Sequence, residues 1–194
     1  MRVIIPEVVC RDVASGRKSL LPLRGQGPSA LSMPGPRGDA GSMNEIRTVE
    51  LPEQHTAVLR DKVATDELPA FFARAFSATA AVLGQQGQVP AGPPFGLYHG
   101  MPTSVVDVEA GFPVATPVAP DGEVVPGTLP AGQAVEAVHV GPYDTMGETY
   151  SQVEQWMVGQ RLVPGPVVWE SYLSDPEREP DPATWRTVIH WSVA

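Results

Sequence analysis

The sequence predicts an α+β fold in which a strand–helix–two-strand module is used twice. The copies form a pseudo-twofold duplication and share one antiparallel sheet, with two helices on one face and an open cleft on the other. Three observations predict it: two segments with apolar residues at helical spacing, short runs of period-2 alternation around each, and a recurring order of helix stop, Pro-Gly loop and aromatic strand.

The elements follow in order. Residues 45–51 alternate polar and apolar, as a half-buried strand does, and 56–63 read as a second extended piece. Leu68, Phe71, Phe72, Ala75, Phe76, Thr79, Val82 and Leu83 then recur at helical spacing, with an aromatic inner stripe. Thr65 or Asp66 is placed to cap that helix, Pro69 suits its first turn, and Gly84 suits its end. Short strands are expected over 94–99, 104–108 and 112–117. In the second half, 134–140 reads as a strand, and Thr145 with Glu148 fits a capping box. Met146, Tyr150, Val153, Trp156 and Met157 form a helical stripe read as core, with Gly159 as its stop. Strands follow over 167–173 and 185–193, the latter with Trp185, Thr187, Ile189, Trp191 and Val193 on one face; 175–182 is an acidic, Pro-rich loop.

The halves superpose as sequence. Gly84-Gln85 matches Gly159-Gln160, Val89-Pro90 matches Val163-Pro164, and Gly92-Pro93 matches Gly165-Pro166. Tyr98 follows Pro90 by eight residues, and Tyr172 follows Pro164 by eight. In this alignment Gly96 stands where Glu170 stands, so the halves are alike in structure and unequal in chemistry.

A length of 194 residues, 42% hydrophobic, suffices for one domain with a real core. Residues 1–42 hold six basic side chains against three acidic ones and show no period from Ser15 onward, so they read as a disordered or non-native extension. The domain is expected over 43–194, with Met43 as the natural start; Val3-Ile4-Ile5 is too short for a secretory signal. The formal net charge of −9 argues against direct nucleic-acid binding and against an anionic membrane surface. The single cysteine, Cys10, excludes an internal disulfide framework, and no apolar run approaches a transmembrane length. A cytoplasmic protein is the expectation.

Most catalytic constellations are absent. There is no phosphate-binding Gly-rich loop with its Lys, no Gly-x-Ser-x-Gly elbow, and no metal spacing among His55, His99, His139 and His190. No cofactor and no metal are therefore expected. What stands out is Glu170 within Trp169-Glu170-Ser171-Tyr172, where alternation puts Val168, Glu170 and Tyr172 on one face. A carboxylate in an apolar strand is costly unless satisfied. It either faces solvent or a tyrosine hydroxyl, or it floors an aromatic cleft that attracts a flat, apolar cation, with ring faces from Tyr98, Tyr143 and Trp191. Tyr172 on the same face and Phe95 on the matching strand complete the expected ligand-binding set. His139, in Val138-His139-Val140-Gly141-Pro142-Tyr143, reads as a packed strand residue before a turn.

His139-Val140-Gly141-Pro142-Tyr143, the helix ending at Gly159, and Trp169-Glu170-Ser171-Tyr172-Leu173-Ser174-Asp175-Pro176 resemble the GyrI-like small-molecule-binding domain, also the effector-binding part of some MerR-type and AraC-type regulators. The resemblance implies a ligand cleft between the modules for hydrophobic, aromatic or cationic compounds, with the pocket glutamate at Glu170. The preceding 43 residues are too few for a helix-turn-helix domain, so a stand-alone binding protein that sequesters or senses toxic compounds is expected. Two alternatives follow from the same resemblance. One is a hydrolase opening strained cyclopropane-type alkylating natural products, with Glu170 as the catalytic residue and Tyr98 or Tyr143 bonding the developing phenolate. The other is a gyrase-interacting or other protein-binding adaptor.

Overall fold

The computed structural model describes residues 45–100, 104–176 and 178–194. The extension expected over 1–42, with Cys10 and the start at Met43, lies outside these residues. In chain order the elements are β1 (Ile46–Leu51), β2 (Gln54–Ala64), α1 (Leu68–Gln85), β3 (Phe95–His99), β4 (Val105–Pro113), β5 (Val125–Leu129), β6 (Gly132–Val140), α2 (Met146–Gln160), β7 (Pro164–Tyr172) and β8 (Arg186–Val193).

The strands make one antiparallel sheet in the order β1-β6-β8-β7-β3-β4-β2-β5. Read from either end, that order gives the same plan. The modules are β2-α1-β3-β4 and β6-α2-β7-β8, and they meet at β3 and β7. There Gly96 pairs with Glu170, its own counterpart in the repeat, so the pseudo-dyad passes between these two residues. The remaining strands are exchanged. β1 leads into β2 yet pairs with β6, and β5 leads into β6 yet pairs with β2. Both leads turn on a Leu-Pro pair, Leu51-Pro52 and Leu129-Pro130, an extension of the repeat beyond the stretch aligned from sequence.

Alternation decides what each face holds. Ala57 and Leu59 of β2, Val108 and Ala110 of β4, Val135 and Ala137 of β6, and Ile189 and Trp191 of β8 meet the helices and form the main core. The residues of α1 that are buried are the eight of its apolar stripe. Fully burying a ring such as Phe72 contributes about 2–3 kcal/mol. A smaller cluster of Val58, Phe95, Leu97, Ala134 and Trp169 lies on the other face, with Leu51 and Leu129 packed against it. α1 lies over β2 and β4 and α2 over β6, which leaves β7 and β3 between the two helices.

Several expectations are corrected. The strands expected over 104–108 and 112–117 are one strand, β4. Glycine at 111 lets the ladder run through, because a Cβ there would collide with the Ala57 carbonyl of the paired strand. β5 has no counterpart among the expected strands: its Pro126 and Gly127 carry no strand pattern, but an edge strand tolerates a proline. Neither helix has a side-chain cap. α1 begins after Glu67 rather than a capping Thr65 or Asp66, and Thr145 is itself in the right-handed helical region, its hydroxyl donating to the Pro142 carbonyl at 2.8 Å. The helices run past Gly84 and Gly159, and α2 ends at Arg161, held left-handed at φ 59°. Trp185 follows a short 3-10 turn at Pro182–Thr184 and β8 starts after it, while its indole donates to the Glu179 carbonyl at 2.7 Å.

Candidate functional site

The acid of β7 is on the helix-covered face. Val168, Glu170 and Tyr172 point the same way, as alternation requires, but that face looks toward α1 and α2 rather than toward the helix-free side on which the cleft was expected. The reason is parity. The ladder aligns Glu170 with Ile189, and Ile189 belongs to the main core. The candidate site therefore lies between the two helices, over the strands they leave uncovered.

Glu170 is fully buried, 0% exposed. Tyr172, two residues along the strand, donates its hydroxyl to Oε2 at 2.9 Å, and Tyr98 from neighbouring β3 donates to the same oxygen at 3.1 Å. Tyr150, from α2 above, donates to Oε1 at 2.6 Å. No ion pair among the described residues involves Glu170. Burial raises its pKa to about 7, against the three tyrosine hydrogen bonds, which lower it. The same burial, with the negative charge beside them, holds all three phenols well above their ordinary pKa, so the fence donates and does not ionise.

Across the pseudo-dyad, Gly96 leaves room that α1 uses. A Cβ there would stand 2.7 Å from Phe72 Cε1 and 3.0 Å from the Tyr172 hydroxyl. Phe72 meets Tyr172 edge-on, with ring centroids 6.0 Å apart. One half of the floor thus carries a carboxylate and the other a phenyl ring.

The remaining sequence-predicted residues fall differently. Tyr143 is buried behind Tyr172, 6.0 Å between centroids, and packs on Trp185 at 5.0 Å. Trp191 faces Tyr150 edge-on at 6.1 Å, and its indole donates to the Gly165 carbonyl at 3.2 Å. Phe95 belongs to the opposite face, in the smaller cluster with Trp169, away from Glu170. His99 and Glu109, 2.7 Å apart, also lie on that opposite face, with Arg60. Tyr150 was missed as a site residue, being read as core. The available signal was its hydroxyl: a tyrosine in an apolar helical stripe needs a partner that phenylalanine does not. All four tyrosines of the chain meet here, three on the carboxylate and one behind it.

No group of His, Cys, Asp and Glu among the described residues is arranged to hold a metal ion. No helix among them is long and apolar enough to cross a membrane. Chemically, the arrangement is a buried carboxylate that takes or gives a proton near neutrality, satisfied by neutral donors and walled by aromatic rings.

A family model, the GyrI-like small molecule binding domain, matches residues 44–194. No curated protein matches the chain by sequence. Among solved structures, the C-terminal domain of EcmrR is similar at 24% identity and TM-score 0.63, over 78% of this chain and 98% of that one. In the EcmrR–DNA complex the match spans 77% of this chain but only 57% of that one. A structure described as a hydrolase from Listeria innocua is similar at 16% identity and TM-score 0.58, over 77% of this chain and 92% of that one. A protein solved with tetraphenylphosphonium bound is similar at 11% identity and TM-score 0.56, over 77% and 94%. At these identities the likeness is one of fold.

Proposed function

The chain belongs to the GyrI-like small-molecule-binding family, and from that premise we propose that it binds hydrophobic aromatic cations between α1 and α2, with Glu170 as the counter-charge. The observation that carries this reading is a fully buried carboxylate that has three hydroxyl donors and no cationic partner among the described residues. A lipophilic cation with delocalised charge suits it. Such a ligand loses little hydration on entering, and the rings of Tyr98, Tyr150, Tyr172 and Trp191 offer faces for cation–π contact of about 0.5–2 kcal/mol each. Tyr150 is the one member of the fence that is partly exposed, so entry is expected along α2. In a cell this would amount to sequestering or sensing toxic compounds.

A second reading has one observation in its favour. A carboxyl with a pKa of about 7 is suited to general acid–base work at neutral pH. In a hydrolase of cyclopropane-type alkylating compounds, Glu170 would take a proton from water as the water oxygen bonds to the strained carbon. The ring C–C bond would break toward a phenolate oxygen, which a tyrosine hydroxyl stabilises and which finally receives that proton.

Tetraphenylphosphonium is a suitable probe because its charge does not titrate. Calorimetric titration should give saturable binding to the wild type and about 10- to 100-fold weaker binding to Glu170→Gln, with little change for neutral triphenylphosphine oxide. Equal affinity in both proteins would sink the counter-charge role. Mass spectrometry after incubation with a neutral cyclopropane-type compound separates the readings: recovery unchanged supports the binder, and gain of one water that needs Glu170 supports the hydrolase. Absence of binding by either chemotype would favour a protein partner.

A further inference from the structure

His139 of β6 is buried, and its ring lies between the turn that precedes α2 and the first turn of α2 itself. Nε2 is 3.2 Å from the Pro142 carbonyl oxygen, an atom that only accepts, so Nε2 carries the hydrogen. Nδ1 is then the acceptor for the Thr149 hydroxyl, 2.8 Å away in the buried first turn of α2. The next residue is Tyr150, whose hydroxyl makes the 2.6 Å bond to Glu170. On the other side, Gly141, at φ 135°, donates its N–H to the Trp185 carbonyl and starts the turn that delivers Tyr143 against Tyr172.

Met146, Val153 and Met157 seat α2 on the sheet through apolar contact. Such contact tolerates sliding and rotation, whereas a directional bond does not. We propose that His139 is a positioning residue for the site: through Thr149 it fixes the height and rotation of α2 at which the Tyr150 hydroxyl reaches Glu170. Its importance for ligands rests on the proposed role of Glu170, while the mechanical link is a property of the free protein. Burial keeps the imidazole below its ordinary pKa and therefore neutral near pH 7, with Glu148 of α2 as the charged neighbour that opposes this. Across the ladder on β8 its partner is the uncharged Thr187. The titratable groups facing Glu170 are Tyr98 of β3, Tyr150 of α2 and Tyr172 of β7.

The test reads Glu170 directly, by following its carboxyl carbon with 13C NMR as the ligand-free protein is titrated. Tyr150→Phe removes one donor to the carboxylate and should raise the midpoint by about one pH unit. Thr149→Val, nearly isosteric, and His139→Gln should each raise it in the same direction by about half a unit or more. His139→Asn, whose amide oxygen stands close to the place of Nδ1, should restore most of the wild-type value. Adding Thr149→Val to Tyr150→Phe should produce no further rise, since the first acts through the second. Should Thr149→Val and His139→Gln both titrate as wild type while Tyr150→Phe is raised, or should the pair add in full, the positioning role is overturned. Tetraphenylphosphonium binding by the same proteins reports separately on the proposed function, so failure of one does not mask the other.

Discussion

Glu170 is half protonated near neutrality, and this has two consequences of opposite sense. Binding of a fixed cation needs the carboxylate, so tetraphenylphosphonium affinity should rise with pH through about 7 and level off above it. Folding prefers the neutral acid. Its pKa rises from an ordinary 4.5 in the unfolded chain to about 7 in the native one, so the native state holds more protons between these values. The stability from this group is fully present below about pH 4.5 and lost as pH rises through about 7, a change of about 3 kcal/mol in all. Denaturant titration of wild type and Glu170→Gln across that window checks the sign: the mutant's advantage should grow with pH and flatten above 8, and a constant difference would refute it. At this scale the sequence was legible where strand parity applies. Glu170 and Tyr172 share a face by period 2, and Tyr98 follows from the repeat. Tyr150 was hidden because a helical stripe does not say which of its members meets a polar partner, and Phe95 was misplaced because one step along a strand reverses the face.

At the scale of elements, two substitutions test how the chain is held. Arg161 occupies a left-handed position at the end of α2, where glycine costs nothing, and it is exposed. Arg161→Gly should stabilise the protein by up to about 1 kcal/mol in urea denaturation. Gly96→Ala drives a methyl into Phe72 and the Tyr172 hydroxyl, and should cost about 1–3 kcal/mol. It should also weaken tetraphenylphosphonium binding, because α1 must shift against the fence. The buried stripe of α1 was readable, since eight positions at one helical spacing, seven of them apolar, define a single inner face, whereas its two ends were not. β5 was not, for its Pro126 and Gly127 form a strand only because β2 offers an edge, a fact of tertiary structure that no local pattern carries. The capping residues failed for a related reason: Thr145 is spent on the Pro142 turn and cannot also close the helix.

At the scale of the molecule, the exchanged strands bind the modules together. β1 completes the second module's sheet and β5 the first's, while β3 and β7 join them at the centre, so neither half retains its ladder alone. Despite its internal duplication the domain should unfold in one step, with equal calorimetric and van't Hoff enthalpies; two resolved transitions would show the halves to be independent. The pairing of Gly96 with Glu170 also limits what could have preceded this architecture. A symmetric pair of identical single modules would set the same residue on both sides of its axis. Two glutamates facing each other on adjacent strands would stand about 5 Å apart and could not both ionise, and two glycines would offer a guest no charge at all. A lone anion beside that axis requires the two halves to differ in sequence, as they do in this single chain at Gly96 and Glu170.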